Sequence, residues 1–171
     1  MKFAKIRDVK SPSRGTSKSA GLDFYVPNYS EEYLAVIKEK NHYLQIDEKG
    51  ILIHSLKRVL IPSGIKVAVP EGYDLCVHNK GGVAVKKGII FGAQVIDEDY
   101  TGEVLISMIN VSDESQLITW GEKITQMILR EVNYESAEEC TIDELNLIYS
   151  ERNSERGDGA LGSTGNSWQL V

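Results

Sequence analysis

The stretch ILIHSLKRVLIPSGIKVAVPEGYDLCVH, Ile51 to His78, decides the fold. It contains four short runs rich in β-branched residues: Ile51–Ile53, Arg58–Ile61, Ile65–Val69 and Tyr73–His78. Pro62-Ser63-Gly64 and Pro70-Glu71-Gly72 lie between runs. Proline presets φ and glycine accepts open backbone, so both triplets read as turns. Strands this short and this often punctuated predict an all-β sandwich, jelly roll or distorted barrel. A βαβ unit would need crossovers of a dozen or more residues.

Working outward, Val83–Val85, Ile89–Val95, Val104–Asn110, Leu117–Trp120 and Ile124–Val132 continue the strand pattern. Turns are expected at Lys86–Gly88, Tyr100–Gly102 and Gly121-Glu122. Upstream, Lys2–Arg7 reads as a first strand, and AGLDFYV sets Asp23 among apolar neighbours. Two segments break the pattern. Ser30 can cap a short helix with Tyr33 and Ile37 on one face, before a turn at Asp47–Gly50. Ser136 and Glu139 can form a capping box, followed by Ile142, Leu145 and Tyr149 on one face. From Ser150 onward nothing periodic appears. The expected organisation is one β domain over 1–155, with extra segments near 31–49 and 136–149, and a flexible C-terminal arm over 156–171.

At 171 residues and 42% apolar content, one domain with a proper core is expected. A formal charge of −6 argues against a protein that mainly grips nucleic acid. No apolar run is long enough to span a bilayer, and the N-terminal MKFAKIRDVKSPSRG does not read as a signal peptide. Cys76 and Cys140 lack CxxC or histidine partners, so both are expected to be buried free thiols in a cytoplasmic, reducing setting.

Candidate chemistry gathers in a few places. Asp97 lies in QVIDEDY, where Val95 and Ile96 would desolvate it. A carboxylate there suits either a general base for water or a turn aspartate that caps backbone N–H groups. Tyr100 offers a ring for a sugar or base, or a half-buried turn aromatic. Lys80-Gly81-Gly82 joins a cation to unshielded backbone amides, as in a phosphate cradle or a Gly-rich hairpin. Arg156, Ser163 and Thr164 sit in RGDGALGSTG, a segment whose glycines make ordering costly without a partner such as a triphosphate. Gln126 is an amide on an expected buried strand and must find partners or face a pocket. The three histidines show no metal-ligand spacing.

Together, AGLDFY (20–25), NKGGVAVKKGI (79–89), AQVIDEDYTGEV (93–104), GEKITQMI (121–128) and RGDGALGSTG (156–165) resemble the five ordered motifs of the homotrimeric dUTPases. The resemblance implies a jelly-roll-like subunit, a homotrimer with sites at subunit junctions, and an arm that closes over a neighbour's site. It also implies dUTP as substrate, with Mg²⁺ held mainly by the triphosphate. By the same resemblance Asp97 is the base that activates water for attack on the α-phosphorus, and Tyr100 packs on deoxyribose. The hairpin backbone of Gly92, Ala93, Gln94 and Val95 reads uracil. Lys80, Gly81, Gly82, Gln126 and Arg156 meet the phosphates, with Leu161, Gly162, Ser163 and Thr164 closing over the nucleotide. Asp23 stands near the magnesium water shell.

The chain departs from the family pattern in the two longer segments, in Ala160 where the arm has a glycine, and in three further places. Lys80-Gly81-Gly82 replaces Arg-Ser-Gly, which trades a bidentate fork for a point charge. Gln94 replaces a common glycine, and Leu161 replaces the arm phenylalanine. The alternatives to a dUTP diphosphatase are a related deoxycytidine-nucleotide hydrolase or deaminase, and a catalytically weak trimeric binding or regulatory protein.

Overall fold

A computed structural model describes residues 1–41 and 44–159. Its strands are β1 (Lys2–Lys5), β2 (Leu22–Tyr25), β3 (Gln45–Ile46), β4 (Gly50–Ile53), β5 (Arg58–Ala68), β6 (Tyr73–Asn79), β7 (Ile89–Gly92), β8 (Val95–Ile96), β9 (Glu103–Asn110), β10 (Gln116–Thr119) and β11 (Lys123–Glu131). Helices α1 (Glu31–Lys40), α2 (Gly81–Lys87) and α3 (Ile142–Glu151) complete the described elements. Three antiparallel sheets form, ordered β1-β5-β9-β7, β2-β11-β6-β8 and β10-β4-β3, and among the described residues they do not close into one barrel. The expected all-β class holds.

Side chains alternate across each strand, and the core follows that period. On β9, Val104, Ile106 and Met108 are fully buried while Leu105 is exposed. Their cluster takes in Val59, Ile61 and Ile65 of β5, Leu75 and Val77 of β6, and Phe24 of β2. The inward faces of both four-stranded sheets therefore share one core.

Several local expectations change. Pro62-Ser63-Gly64 is not a turn. β5 runs through it as one strand, and its register to β9 shifts between Pro62 and Lys66. A bulge tolerates proline, which has no N–H for the ladder, and Gly64 takes φ +74°. Pro70–Gly72 is the turn expected, closed by the Tyr73 N–H on the Pro70 carbonyl. Val83–Val85 is helical, not a strand. Val85 is 87% exposed, so no sheet face claims it. Gly88, left-handed at φ +61°, ends the helix after Lys86 and Lys87. Ile89–Val95 is two strands in different sheets, bent at Ala93, whose φ is +50°. Ser30 caps α1 by accepting the Tyr33 N–H, and Ile37 is buried, as the spacing predicts.

The chain divides into two compact units, Met1–Asn133 and Tyr134–Val171. All eleven strands lie in the first. In the second, the capping box belongs to Thr141 and Glu144, not to Ser136 and Glu139. Thr141 accepts the Glu144 N–H, and the Glu144 carboxylate accepts the Thr141 N–H at 2.8 Å. Cys76 is buried as expected, but Cys140 is exposed.

Candidate active site

The first group of site residues stands at one end of the β2-β11-β6-β8 sheet. Asp23 on β2 and His78 on β6 both pair directly with Gln126 on β11. Directly paired residues project from the same face, so the three form a row. They face away from the core, because the alternate residues Phe24, Val77 and Met127 fill it. Lys123, three residues before Gln126, would ordinarily point the opposite way. The bulge between Lys123 and Thr125 adds the missing half-period. Ile124 and Thr125 are consecutively buried there, which returns Lys123 to the face of Asp23.

Asp23 is 4% exposed and holds two cations. The Lys80 ammonium donates to Oδ1 at 2.8 Å, and the Lys123 ammonium lies 2.8 Å from Oδ2. Burial alone would raise the Asp23 carboxyl, but hydrogen bonds from Lys123 and Lys80 outweigh it and hold the group below its ordinary value of 3.8. The stability this lends is present above that value and is lost as pH falls through the lowered one. Gln126 is half-buried, not fully buried, and donates from Nε2 to the Asn79 carbonyl at 3.3 Å. The neighbouring His78 Nε2 is the one buried side-chain polar atom among the described residues without a hydrogen-bond partner. Gly81 and Gly82 open α2 directly after Lys80, and a Cβ on either would meet nothing within 4 Å. Core packing does not demand these glycines.

The second group lies on the turn between β8 and β9. The Tyr100 N–H closes it on the Asp97 carbonyl at 3.2 Å, and the Tyr100 hydroxyl donates to the Glu103 carbonyl at 2.8 Å. Asp97 is exposed in the subunit and Val95 is 56% exposed, so the expected desolvation by apolar neighbours does not occur within one chain. The phenol ring packs over Gly102, where a Cβ would sit 2.3 Å from the hydroxyl oxygen. Gly102 is therefore more than a turn glycine. Gly102→Ala should push the ring aside with little loss of stability, because Tyr100 is 39% exposed and can swing out. The expected result is a melting temperature close to the parent with about tenfold faster amide hydrogen exchange in residues 98–103.

Gly92–Val95 is a bend between sheets and not a hairpin. The Gln94 carbonyl accepts the Val77 N–H at 2.7 Å, while its side chain donates to the Phe91 carbonyl at 3.2 Å. Asn79 Oδ1 accepts the Phe91 N–H at 3.1 Å, tying this bend to the end of β6.

The two groups do not meet in one subunit. β8 pairs with β6 through Ile96 opposite Leu75 and Val95 opposite Cys76, so Asp97 lies beyond them towards Asp74. The Glu98 carboxylate accepts the Gly72 N–H at 2.6 Å and anchors the turn at that end. Lys80 follows Asp74 by six residues, about 20 Å of extended strand. No side chain reaches across that length.

A family model described as dUTPase matches residues 44–165. The chain belongs to the dUTPase family. The deoxyuridine 5'-triphosphate nucleotidohydrolase of Fusobacterium nucleatum is 33% identical over 96% of each chain. Among solved structures, a Staphylococcus bacteriophage 80alpha dUTPase variant with dUpNHpp superposes with a TM-score of 0.65 at 19% identity, covering 96% of this chain and 98% of that one. The phage phi11 dUTPase of S. aureus, described with a structural Mg(II) ion, gives 0.60 at 16% identity over 81% and 95%. At those identities the superpositions speak for the dUTPase fold.

In this dUTPase-family chain, the structure brings together Asp23, Lys80 and Gln126 but leaves Asp97 and Tyr100 apart from them. Arg156 lies in the second unit, exposed, with Nε on the Gly159 carbonyl at 2.8 Å. Leu161, Gly162, Ser163 and Thr164 lie outside the described residues. Sequence reasoning missed Lys123 as a partner of Asp23 and missed Asn79 and Gly102. Ile124 and Met127, three residues apart and both in the core, are out of step with strand alternation, and that spacing was the signal for the bulge that turns Lys123. Among the described residues no group of three carboxylate, cysteine or histidine side chains is placed to hold a metal, and no helix is long and apolar enough to cross a membrane.

Proposed function

We propose that this chain hydrolyses dUTP to dUMP and pyrophosphate in sites shared between copies of itself, arranged as a homotrimer. The observation that carries this reading is the Asp97–Tyr100 turn, with an exposed carboxylate and a ring held over glycine, in a chain of the dUTPase family. Its distance from the Asp23–Lys80–Lys123–Gln126 group supports the shared site. Asp97 of one copy orients a water and takes its proton as the water oxygen bonds to the α-phosphorus. The bond from that phosphorus to the α,β-bridging oxygen breaks, and its electrons leave with pyrophosphate. Tyr100 packs against the deoxyribose, where a 2′-hydroxyl would crowd the ring. The Gly92–Val95 backbone, including Ala93, reads the uracil edge. The Gln94 amide donates to the Phe91 carbonyl, and base reading is left to the backbone.

On the facing copy, Lys80 and Lys123 supply charge to the phosphates, with Gln126 and the backbone of Gly81 and Gly82 beside them. The triphosphate oxygens are the hard ligands Mg²⁺ prefers, and an ion held mainly by them would neutralise phosphate charge there. Both Asp23 oxygens already face ammonium groups. That arrangement suits contact with the ion's water shell and not direct ligation. This reading gives residues 156–171, beyond the 1–155 β domain, the role of an arm for a neighbouring copy's site, with Arg156 for the terminal phosphate and Leu161, Gly162, Ser163 and Thr164, outside the described residues, for the nucleotide. Deleting 156–171 should leave the thermal transition in place and reduce kcat/KM by about 10²-fold. Activity equal to the full chain would remove the arm from the site.

A pyrophosphate-release assay with dUTP, dCTP, dTTP and UTP tests the substrate. The expected order places dUTP first in kcat/KM. A higher value on dCTP or dTTP would overturn the uracil assignment, and ammonia release from a cytosine nucleotide would point to a deaminase.

A further inference from the structure

Glu103 opens β9 directly after the Asp97–Tyr100 turn and is engaged at both ends. Its carbonyl takes the Tyr100 hydroxyl at 2.8 Å. Its carboxylate accepts Arg7 Nε at 3.0 Å on Oε1 and Arg7 Nη2 at 2.8 Å on Oε2. Oε1 also accepts the Gly64 N–H from the β5 bulge at 2.7 Å. The other side of the Arg7 guanidinium is covered by Tyr33 of α1, with Cζ 3.5 Å from the ring centroid. Tyr29, just before that helix, stacks against Tyr33 with centroids 5.5 Å apart and donates its hydroxyl to the Pro62 carbonyl at the start of the bulge. Gly64 permits this crowding, since a Cβ there would lie 3.0 Å from Val9 Cγ1 and 3.2 Å from Arg7 Cβ.

We propose that Arg7 and Tyr33 are positioning residues for the Asp97–Tyr100 turn, acting through Glu103, so that α1 helps set discrimination for deoxyribose. This rests on the reading of Tyr100 given above. A shielded ion pair contributes little net stability, because desolvating both charges offsets their attraction. Its geometry nevertheless fixes both oxygens of the carboxylate, and with a third donor from Gly64 the Glu103 side chain has one orientation left. The peptide that receives the Tyr100 hydroxyl is held with it. The stacked tyrosine keeps the guanidinium in the plane that bidentate pairing needs. Loosening Arg7 or Tyr33 therefore releases the Tyr100 anchor without touching any residue of the proposed site.

The test compares Arg7→Met, Arg7→Lys, Tyr33→Ala and Tyr33→Phe in the full chain. Two quantities are measured: the ratio of kcat/KM on dUTP to that on UTP, and amide hydrogen exchange of residues 98–103. Arg7→Met and Tyr33→Ala are expected to lower the ratio about tenfold, mainly through a raised KM for dUTP. They should also speed exchange in 98–103 about tenfold while β11 keeps its protection. Tyr33→Phe, which keeps the stacking ring, should match the parent. Arg7→Lys, which keeps charge but loses the fork, should fall between. Where Arg7→Met does not fold, Arg7→Lys and Tyr33→Ala carry the comparison. A parental ratio and parental exchange in 98–103, with only the melting temperature lowered, would overturn the proposal. If the parent does not hydrolyse dUTP, the functional reading falls, and the exchange arm still decides whether Arg7 and Tyr33 hold the turn.

Discussion

Asp97→Asn should lower kcat on dUTP by about 10²–10⁴-fold, the contribution typical of a positioned general base. The turn itself should survive, because the Asp97 carbonyl, and not its carboxylate, accepts the Tyr100 N–H. Asparagine keeps the shape and loses the proton acceptor. Removing a negative charge near the phosphates should leave nucleotide affinity unchanged or tighter, so the loss falls on kcat and not on binding. Calorimetric titration with a non-hydrolysable dUTP analogue, beside steady-state pyrophosphate release, separates the two. A near-parental kcat would take Asp97 out of the mechanism.

Mixing two inactive variants should restore activity. Lys80→Ala damages the phosphate end of β6, and Asp97→Asn damages the other end, roughly 20 Å away along the strand. If each site takes Asp97 from one copy and Lys80 from its neighbour, a heterologous ring assembled from both variants contains intact sites. Random assortment of equal amounts gives intact pairs at about a quarter of all sites. The expected result is a rise from background to about a quarter of parental activity after subunits are exchanged by mild denaturation and refolding. Each variant treated alone should stay at background. A mixture no more active than its components would mean that both groups serve the same chain, and the shared site would be wrong.

The all-β class was legible because turn chemistry and β-branched runs alternate from Ile51 to Val132. Asp23 as a buried carboxylate and Ser30 as a helix cap were equally legible, since both depend on near neighbours. The errors came where a local signal had two outcomes. Pro62-Ser63-Gly64 serves a turn or a bulge, and pairing with β9 decides for the bulge. Val83-Ala84-Val85 suits a strand, but it pairs with no strand here, and Gly88 closes it as a helix. For the candidate site, single residues could be named from their motifs. Their partition between the two ends of β6 could not, because it arises from the β8–β6 register, a long-range pairing invisible to local periodicity. Lys123 was hidden for a similar reason, since its direction depends on a bulge one residue away.

Two lysines on a single aspartate leave one positive charge in surplus at that corner, and each ammonium keeps donors beyond the one it gives to Asp23. Lysine is among the side chains with the most rotamer freedom to lose. Here that freedom is lost when the chain folds, and not each time an anion docks. If this corner takes the phosphates, an arriving polyphosphate would meet cations already gathered and aimed, so a modest net charge could attract it quickly. The same modest charge would hold a departing anion weakly, which would favour rapid turnover over tight retention.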